Sequence, residues 1–136
     1  MYKERLVLLL LLFITIKITW SNEKYIDKKL LCSTKNYGIK GGFIFDSDNL
    51  VQRLNILYNS ENKKEYIKVT KHCYLDTDTI IAISRNGNKN NCGPYDSFID
   101  KHSLDYVMPQ NNLLLTATCK YFDGDIEEIL IKKTQQ

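Results

Sequence analysis

The chain has 136 residues with a net charge of +3, and 26% of its residues are charged. This length indicates a single domain. A nucleic-acid-binding protein usually shows a basic stripe and a high pI. Here lysines alternate with acidic residues along the whole chain, which argues against nucleic acid and against an anionic membrane surface as partners.

The N-terminus carries the pattern of a secretory signal. Lys3 and Arg5 precede an apolar run of 11 residues that ends at Ile16. Roughly 20 apolar residues are needed to cross a bilayer, so the run fits a signal peptide better than the alternative, an uncleaved anchor. Thr19 and Ser21 place cleavage after Ser21. We therefore expect residues 1–21 to be removed, leaving one secreted, extracellular domain at residues 22–136 with no membrane span.

Four cysteines follow the predicted signal, namely Cys32, Cys73, Cys92 and Cys119. An even number of cysteines in a short secreted chain indicates disulfide bonds. Because no C-x₂-C pair is present, a zinc site is not expected. Three connectivities remain open. We favour Cys73–Cys92, which would close a strand-and-loop unit, together with Cys32–Cys119, which would tie the first strand to a late one.

The first elements contain one ambiguity. Ile39–Phe45 is predicted to be a strand in which Gly41 and Gly42 mark a bulge or a close backbone approach. Leu50–Tyr58 fits both helical spacing and strand alternation, and period alone cannot decide between them. We favour a short helix because Asp46-Ser47-Asp48 precedes the segment as a turn and possible helix cap.

The rest of the chain is predicted to be rich in strands. Alternating or β-branched residues predict strands at Glu65–Tyr74, Thr79–Ser84 and Asn112–Phe122, with a polar loop at Arg85–Pro94 and a mixed segment at Tyr95–Val107. Asp123-Gly124-Asp125 separates two apolar runs, which is a hairpin signal and predicts a return strand at Ile126–Lys132. With five to seven strands and at most one short helix, the fold class is all-β or mostly β. We expect a small disulfide-stapled barrel or sandwich-like domain.

Catalytic, metal and cofactor sites are not expected. His72 and His102 could together cleave RNA by acid–base chemistry, but His72 lies on a predicted strand beside Cys73, where a structural role is favoured. No G-x-S-x-G motif is present. The Asp46 and Asp76 segments resemble calcium loops, yet the fifth position of each is apolar, which favours turns.

Binding residues are easier to nominate. The segment after residue 21 holds eight tyrosines, and tyrosine suits both sugar stacking and protein interfaces. Exposed amides match the donors and acceptors of sugar hydroxyls, although asparagine also favours turns. The candidate ligand-binding residues are Asn86, Asn88, Asn90, Asn91, Tyr95, Asp123 and Asp125.

Residues 113–131 resemble the repeats of the cyanovirin-N homology family. Leu115, Ala117 and Cys119 match its strand pattern L-x-A-x-C, and Asp123-Gly124 follow at the family's spacing. A degenerate second copy runs from Ile81 to Gly87, with Ser84 in place of cysteine. The resemblance implies an elongated all-β fold that binds oligomannose-type glycans without catalysis. The family's upstream motif cysteine has no counterpart between Cys92 and Cys119.

The function expected from the sequence is that of a small secreted binding protein without enzymatic activity, best described as lectin-like. One alternative is a secreted effector or toxin-like protein that binds a partner protein. A third is a small secreted ribonuclease. The expected partner is therefore a glycan or an extracellular protein.

Overall fold

The computed structural model describes residues 25, 27–47 and 49–136, and the predicted signal peptide at residues 1–21 lies outside them. The strands are β1 (Lys29–Thr34), β2 (Gly38–Ser47), β3 (Leu50–Asn59), β4 (Lys64–Asp76), β5 (Ile80–Ser84), β6 (Tyr95–Asp100), β7 (Asp105–Gln110) and β8 (Leu113–Tyr121). One helix, α1 (Ile126–Thr134), follows β8, and a 3-10 turn (Lys89–Asn91) lies between β5 and β6. None of the helices in the described part of the chain is long and apolar enough to cross a membrane.

The eight strands form a closed antiparallel barrel. Each strand pairs with the next one along the chain, and β8 pairs with β1. Because successive strands run in opposite directions, their connections fall alternately at the two ends of the barrel. The end that we call the open end carries residues 35–37, 60–63, 85–94 and 111–112. The opposite end, called the closed end, carries Asn49 and residues 77–79 and 101–104.

Aromatic side chains fill the closed end. The Tyr25 ring lies 5.2 Å from the ring of Phe45, which packs edge-on against Tyr74 at 5.1 Å. The hydroxyl of Tyr25 lies 3.1 Å from that of Tyr121. Burial raises the pKa of Tyr25 above its ordinary value, so its phenol stays protonated. These rings continue into the interior core of the barrel.

A second core lies outside the barrel, beneath α1. Leu54 and Ile56 point outward from β3 and pack against Ile126 and Leu130 of the helix. Side chains at successive positions of a strand point to opposite faces, and Val51 faces the interior core. Strand β3 therefore has buried apolar residues on both faces.

This double burial explains why the helix predicted at Leu50–Tyr58 is wrong. The segment is strand β3, paired with β2 on one side and with β4 on the other. A strand that is half-buried on one face alternates cleanly, whereas a strand covered on both faces loses that alternation. The loss of alternation produced the helix-like spacing.

The return strand predicted at Ile126–Lys132 is also wrong, because this segment is helix α1. The Asp125 carboxylate accepts a hydrogen bond from the Glu128 backbone N–H at 3.0 Å and caps the first turn. Lys132 pairs with Glu128 one turn away. Asp-x-x-Glu before an apolar run is a helix-start signal, and in this chain it outweighs the Asp-Gly hairpin signal.

The strand count is eight rather than five to seven because the mixed segment Tyr95–Val107 contains β6 and the start of β7. The mostly β fold with one short helix and two disulfides is confirmed. Both favoured pairings are present: Cys32–Cys119 joins β1 to β8, and Cys73–Cys92 joins β4 to the 85–94 loop.

The expectation for the glycine pair in β2 is confirmed as well. The register shifts between Cys32 and Ser33, because Cys32 pairs with Gly41 and Ser33 with Ile39, which leaves Lys40 as the extra residue of a bulge. A Cβ atom on Gly41 would clash with the Leu54 carbonyl. A glycine is therefore required where the two backbones approach.

Candidate functional site: the mouth of the barrel

A cavity of about 200 Å³ opens at the open end of the barrel. Its floor is formed by interior side chains, including Phe43, Tyr106 and Ala117, and by Cys32 of the disulfide that joins the first and last strands. Arg53, Asn55 and Lys40 line its polar side. The interior of an eight-stranded barrel is wide enough either to be filled by side chains or to hold one small ligand. In this protein the side chains fill the closed end and leave space at the open end.

Arg53 is the main charged group in this cavity. Its guanidinium carbon lies 5.3 Å from the centre of the Tyr106 ring, a cation–π contact. The Nε–H donates to Asn55 Oδ1 at 3.3 Å, and both terminal nitrogens lie 3.7 Å from the Met108 sulfur, a weak acceptor. Within the described part of the chain, Arg53 forms no ion pair. These contacts hold the planar guanidinium of Arg53 in place, but neither acceptor is a carboxylate.

Tyr106 provides both a stacking surface and a neutral phenol. Its ring packs at 5.1 Å against Phe43, and its hydroxyl lies 3.5 Å from the Met108 sulfur. Burial raises the pKa of the Tyr106 phenol above its ordinary value of 10.0, and the charge of Arg53 opposes part of that rise. The phenol is therefore protonated at neutral pH and adds no negative charge to the cavity.

Lys40 reaches the rim because it is the bulged residue of β2. Bulges redirect a side chain out of the regular alternation. The Lys40 ammonium lies 3.7 Å from Glu65 Oε1 and 5.3 Å from the centre of the Tyr37 ring. Since both partners of the ion pair are about one-third exposed, the pair is screened by solvent and holds Lys40 only weakly.

Two of the asparagines nominated from the sequence shape their own loop. The Asn86 side chain donates to the Gly93 carbonyl at 2.7 Å and accepts from the Asn88 backbone at 2.9 Å. Asn88 Oδ1 accepts from the Asn90 backbone at the start of the 3-10 turn. Asn90 and Asn91 are exposed. The cluster does lie at the open end, but its first two amides are engaged within the loop.

Tyr95 lies outside the barrel mouth, in a separate groove of about 560 Å³ on the outer surface. The groove is also lined by Phe98, Pro109 and Arg85. Arg85 Nε lies 3.2 Å from the Asp96 carboxylate. This groove therefore combines exposed aromatic rings with a charged pair.

The two aspartates nominated with the loop lie elsewhere. Asp125 caps α1, as described above, and Asp123 is exposed beside it after β8. Because β8 ends at the closed end, the structure does not bring these residues together with Asn86 to Asn91.

The histidines and acidic residues also have local roles. His72 uses both ring nitrogens, one 2.8 Å from Thr70 Oγ1 and the other 2.8 Å from the Ser84 carbonyl. His102 is exposed in the turn between β6 and β7. Among the described residues, no group of three potential metal-ligating side chains converges.

Sequence reasoning missed Arg53, Tyr106 and Lys40. Strand alternation predicts that Arg53 shares an interior face with Val51, and this signal became hidden once the segment was assigned to a helix. The bulge expected at Gly41 could have indicated that Lys40 is redirected.

No known protein family, curated protein or solved structure matches this chain.

Proposed function

We propose that this chain is a binding protein that holds a small amphipathic anion in the mouth of its barrel. The observation that carries the proposal is Arg53, a half-buried guanidinium above an apolar floor with no carboxylate partner among the described residues. Arginine presents a planar fork that matches a carboxylate in bidentate geometry. The anionic group of the ligand would supply a charged acceptor to the terminal nitrogens of Arg53, which contact the weakly accepting Met108 sulfur.

The size and lining of the cavity define the remainder of the ligand. An apolar protein cavity of about 150 Å³ accommodates benzene, so a cavity of about 200 Å³ takes one ring or a short alkyl chain. Phe43, Tyr106 and Ala117 would cover that apolar part. The ligand class is therefore a small carboxylate that bears an aromatic or branched aliphatic group.

The proposed site of action is extracellular. The two disulfides are typical of proteins that fold in an oxidising compartment. Together with the signal-like segment at residues 1–21, they support secretion. Binding without catalysis accords with the structural contacts of His72, whose ring nitrogens are both engaged.

Binding affinity for a matched pair of probes tests this proposal. Titration calorimetry with phenylbutyrate and with phenylbutanol compares the same hydrophobic group with and without a carboxylate. We expect phenylbutyrate to bind more tightly, because a hydrogen bond to a charged group contributes about 1.5–3 kcal/mol, which is roughly a 10- to 150-fold difference in affinity.

The Arg53→Gln variant should abolish the preference for phenylbutyrate. Lys120→Gln serves as the control, since it removes the same charge from an exposed position of β8 away from the mouth. Equal binding of the two probes to the unaltered protein would refute the proposal. An unchanged preference in Arg53→Gln would refute it as well.

Glycan binding is the second candidate function, and the groove of Tyr95 and Phe98 favours it. Both rings are exposed, at 42% and 36%, and Arg85 and Asp96 lie beside them. Aromatic rings stack on sugars while a charged pair binds hydroxyls. A glycan array with the unaltered protein and with Tyr95→Ala tests it. A signal that survives in Tyr95→Ala would exclude this groove as the binding site.

A further inference from the structure

The hairpin of β7 and β8 exposes three consecutive leucines at the open end. Leu113, Leu114 and Leu115 are 70%, 64% and 44% exposed. We call residues 108–117 the leucine hairpin. This segment contains no charged residue, in a chain in which 26% of residues are charged. An exposed apolar patch of this kind marks a surface that contacts a membrane or another molecule.

The leucine hairpin extends beyond its neighbours in the barrel. Strand β7 pairs with β6 only at Tyr106 and Val107, and β8 pairs with β1 only from Thr118 onward. Between these points the two strands pair with each other, as far as Gln110 and Leu113. Leu113 and Leu114 therefore lie at the rim of the barrel, in the part of the hairpin that pairs with neither β6 nor β1, whereas Leu115 lines the cavity.

The charges of the protein are segregated between the two ends of the barrel. Successive turns lie at opposite ends of the barrel, so charged residues that are near each other in sequence are distributed between the two ends. At the open end, the described turns and the strand segments beside them carry more cations than carboxylates. The cations are Lys35, Lys40, Arg53, Lys63, Lys64, Lys68, Arg85 and Lys89, and the carboxylates are Glu61, Glu65 and Asp96. At the closed end the carboxylates outnumber the cations Lys28, Lys29, Lys101 and Lys120. These carboxylates are Asp27, Asp46, Asp76, Asp78, Asp100, Asp105, Asp123 and Asp125.

The cations adjoin the leucine hairpin on both sides. Lys35 shares a groove with Thr116 of β8, and Arg85 shares another with Pro109 of β7. Exposed tyrosines stand at the same end: Tyr37 is 69% exposed and Tyr58 is 63% exposed. Tyrosine is enriched at the interface between membrane and water.

We propose that the open end docks on the surface of an anionic lipid bilayer. The leucine hairpin would enter the headgroup region, and the surrounding cations would contact the lipid phosphates and carboxylates. Apolar insertion and attraction to anionic lipids strengthen each other in surface-bound proteins. The charge alternation along the sequence concealed this basic end, because alternate turns meet only when the barrel is closed.

The same charges disfavour a second copy of this chain as the occupant. A symmetric dimer through the leucine hairpins would place the same patch of both subunits face to face. Two basic ends would then repel each other, whereas an anionic bilayer complements them. The docking proposal does not depend on a ligand in the cavity, and its test uses residues outside the cavity lining.

Co-sedimentation with lipid vesicles tests the proposal. We expect the protein to bind vesicles that contain phosphatidylserine and to bind vesicles of pure phosphatidylcholine at least about tenfold more weakly. Binding should weaken as salt is raised towards 1 M, where the Debye length shrinks to about 3 Å. The absence of binding to phosphatidylserine vesicles would overturn the proposal.

Two double variants divide the interaction into its parts. Leu113→Asn with Leu114→Asn removes apolar surface, and Lys35→Gln with Arg85→Gln removes charge. Each should weaken binding to phosphatidylserine vesicles by about tenfold or more, and the second should also reduce the salt dependence.

The matched controls lie away from the open end. Leu75→Asn changes a leucine that is 46% exposed near the closed end of β4, and Lys120→Gln changes an exposed lysine of β8. Both should bind vesicles as the unaltered protein does, with thermal melting verifying that every variant is folded. Equal binding by the leucine variant would overturn the proposal. Analytical ultracentrifugation that shows a dimer abolished by the leucine variant would assign the hairpin to a second copy instead.

Discussion

Removing the Cys32–Cys119 disulfide should destabilise this protein more than removing Cys73–Cys92. The first bond closes a loop of 87 residues and joins the first strand of the barrel to the last, whereas the second closes only 19. On the chain-entropy model, the longer loop corresponds to about 4.6 kcal/mol and the shorter one to about 3.2 kcal/mol. The expected difference is therefore about 1.4 kcal/mol.

Urea unfolding followed by circular dichroism measures both values. The two variants, Cys32→Ala with Cys119→Ala and Cys73→Ala with Cys92→Ala, lose the same atoms. In both pairs at least one cysteine is fully buried or nearly so, so the difference between the variants mainly reflects loop length. A larger loss from the Cys73–Cys92 pair would refute the reasoning, as would a loss below about 1 kcal/mol from either pair.

Two further predictions concern the helix and one turn. Leu130→Ala should lower the free energy of unfolding by about 2–5 kcal/mol, because the Leu130 side chain of α1 is 0% exposed. The control Ile131→Ala, at a position 42% exposed, should change it by less than about 1 kcal/mol in the same urea titration. Asp100 accepts hydrogen bonds from the backbone N–H groups of Ser103 and His102, which lower the pKa of its carboxyl below 3.8. Its stabilising effect is therefore present above pH 3.8 and is lost as the pH falls through the lowered pKa, so the Tm advantage over Asp100→Asn should shrink in acid. An advantage that persists unchanged at the lowest pH would contradict this assignment.

The sequence predicts a strand well where only one of its faces is buried. Strand β8 was found with its bounds nearly correct for this reason. Strand β2 was found although α1 also packs on its outer face, because Gly41 and Gly42 mark its bulge. Strand β3 was missed because helix α1 covers its outer face, and residues 50–59 contain no glycine that would mark them as a strand. The helix was missed for a related reason, since Asp123-Gly124 gives a hairpin signal immediately before the Asp125 cap.

The candidate site was harder to predict because it depends on closure of the barrel. Arg53 and Tyr106 are far apart in sequence and meet only when β3 and β7 face each other across the interior. The nominated asparagines illustrate the opposite error. Polar side chains in a loop suggest a binding surface, yet the Asn86 amide is engaged by Gly93 and Asn88 within the loop itself.

The two ends of the barrel differ in how firmly their parts are held. At the closed end, Asp27 and Phe45 share a backbone hydrogen bond, and Lys101 pairs with Asp76 at 2.8 Å. At the open end, the leucine hairpin is paired only within itself beyond Val107, so displacing it disrupts fewer contacts than unfolding the barrel. The cavity floor beneath it is fixed by the Cys32–Cys119 bond. A fixed floor under a more easily displaced rim would let the proposed ligand enter without loss of the fold. If the same rim docks on a bilayer, an amphipathic anion leaving that bilayer would reach the barrel mouth directly.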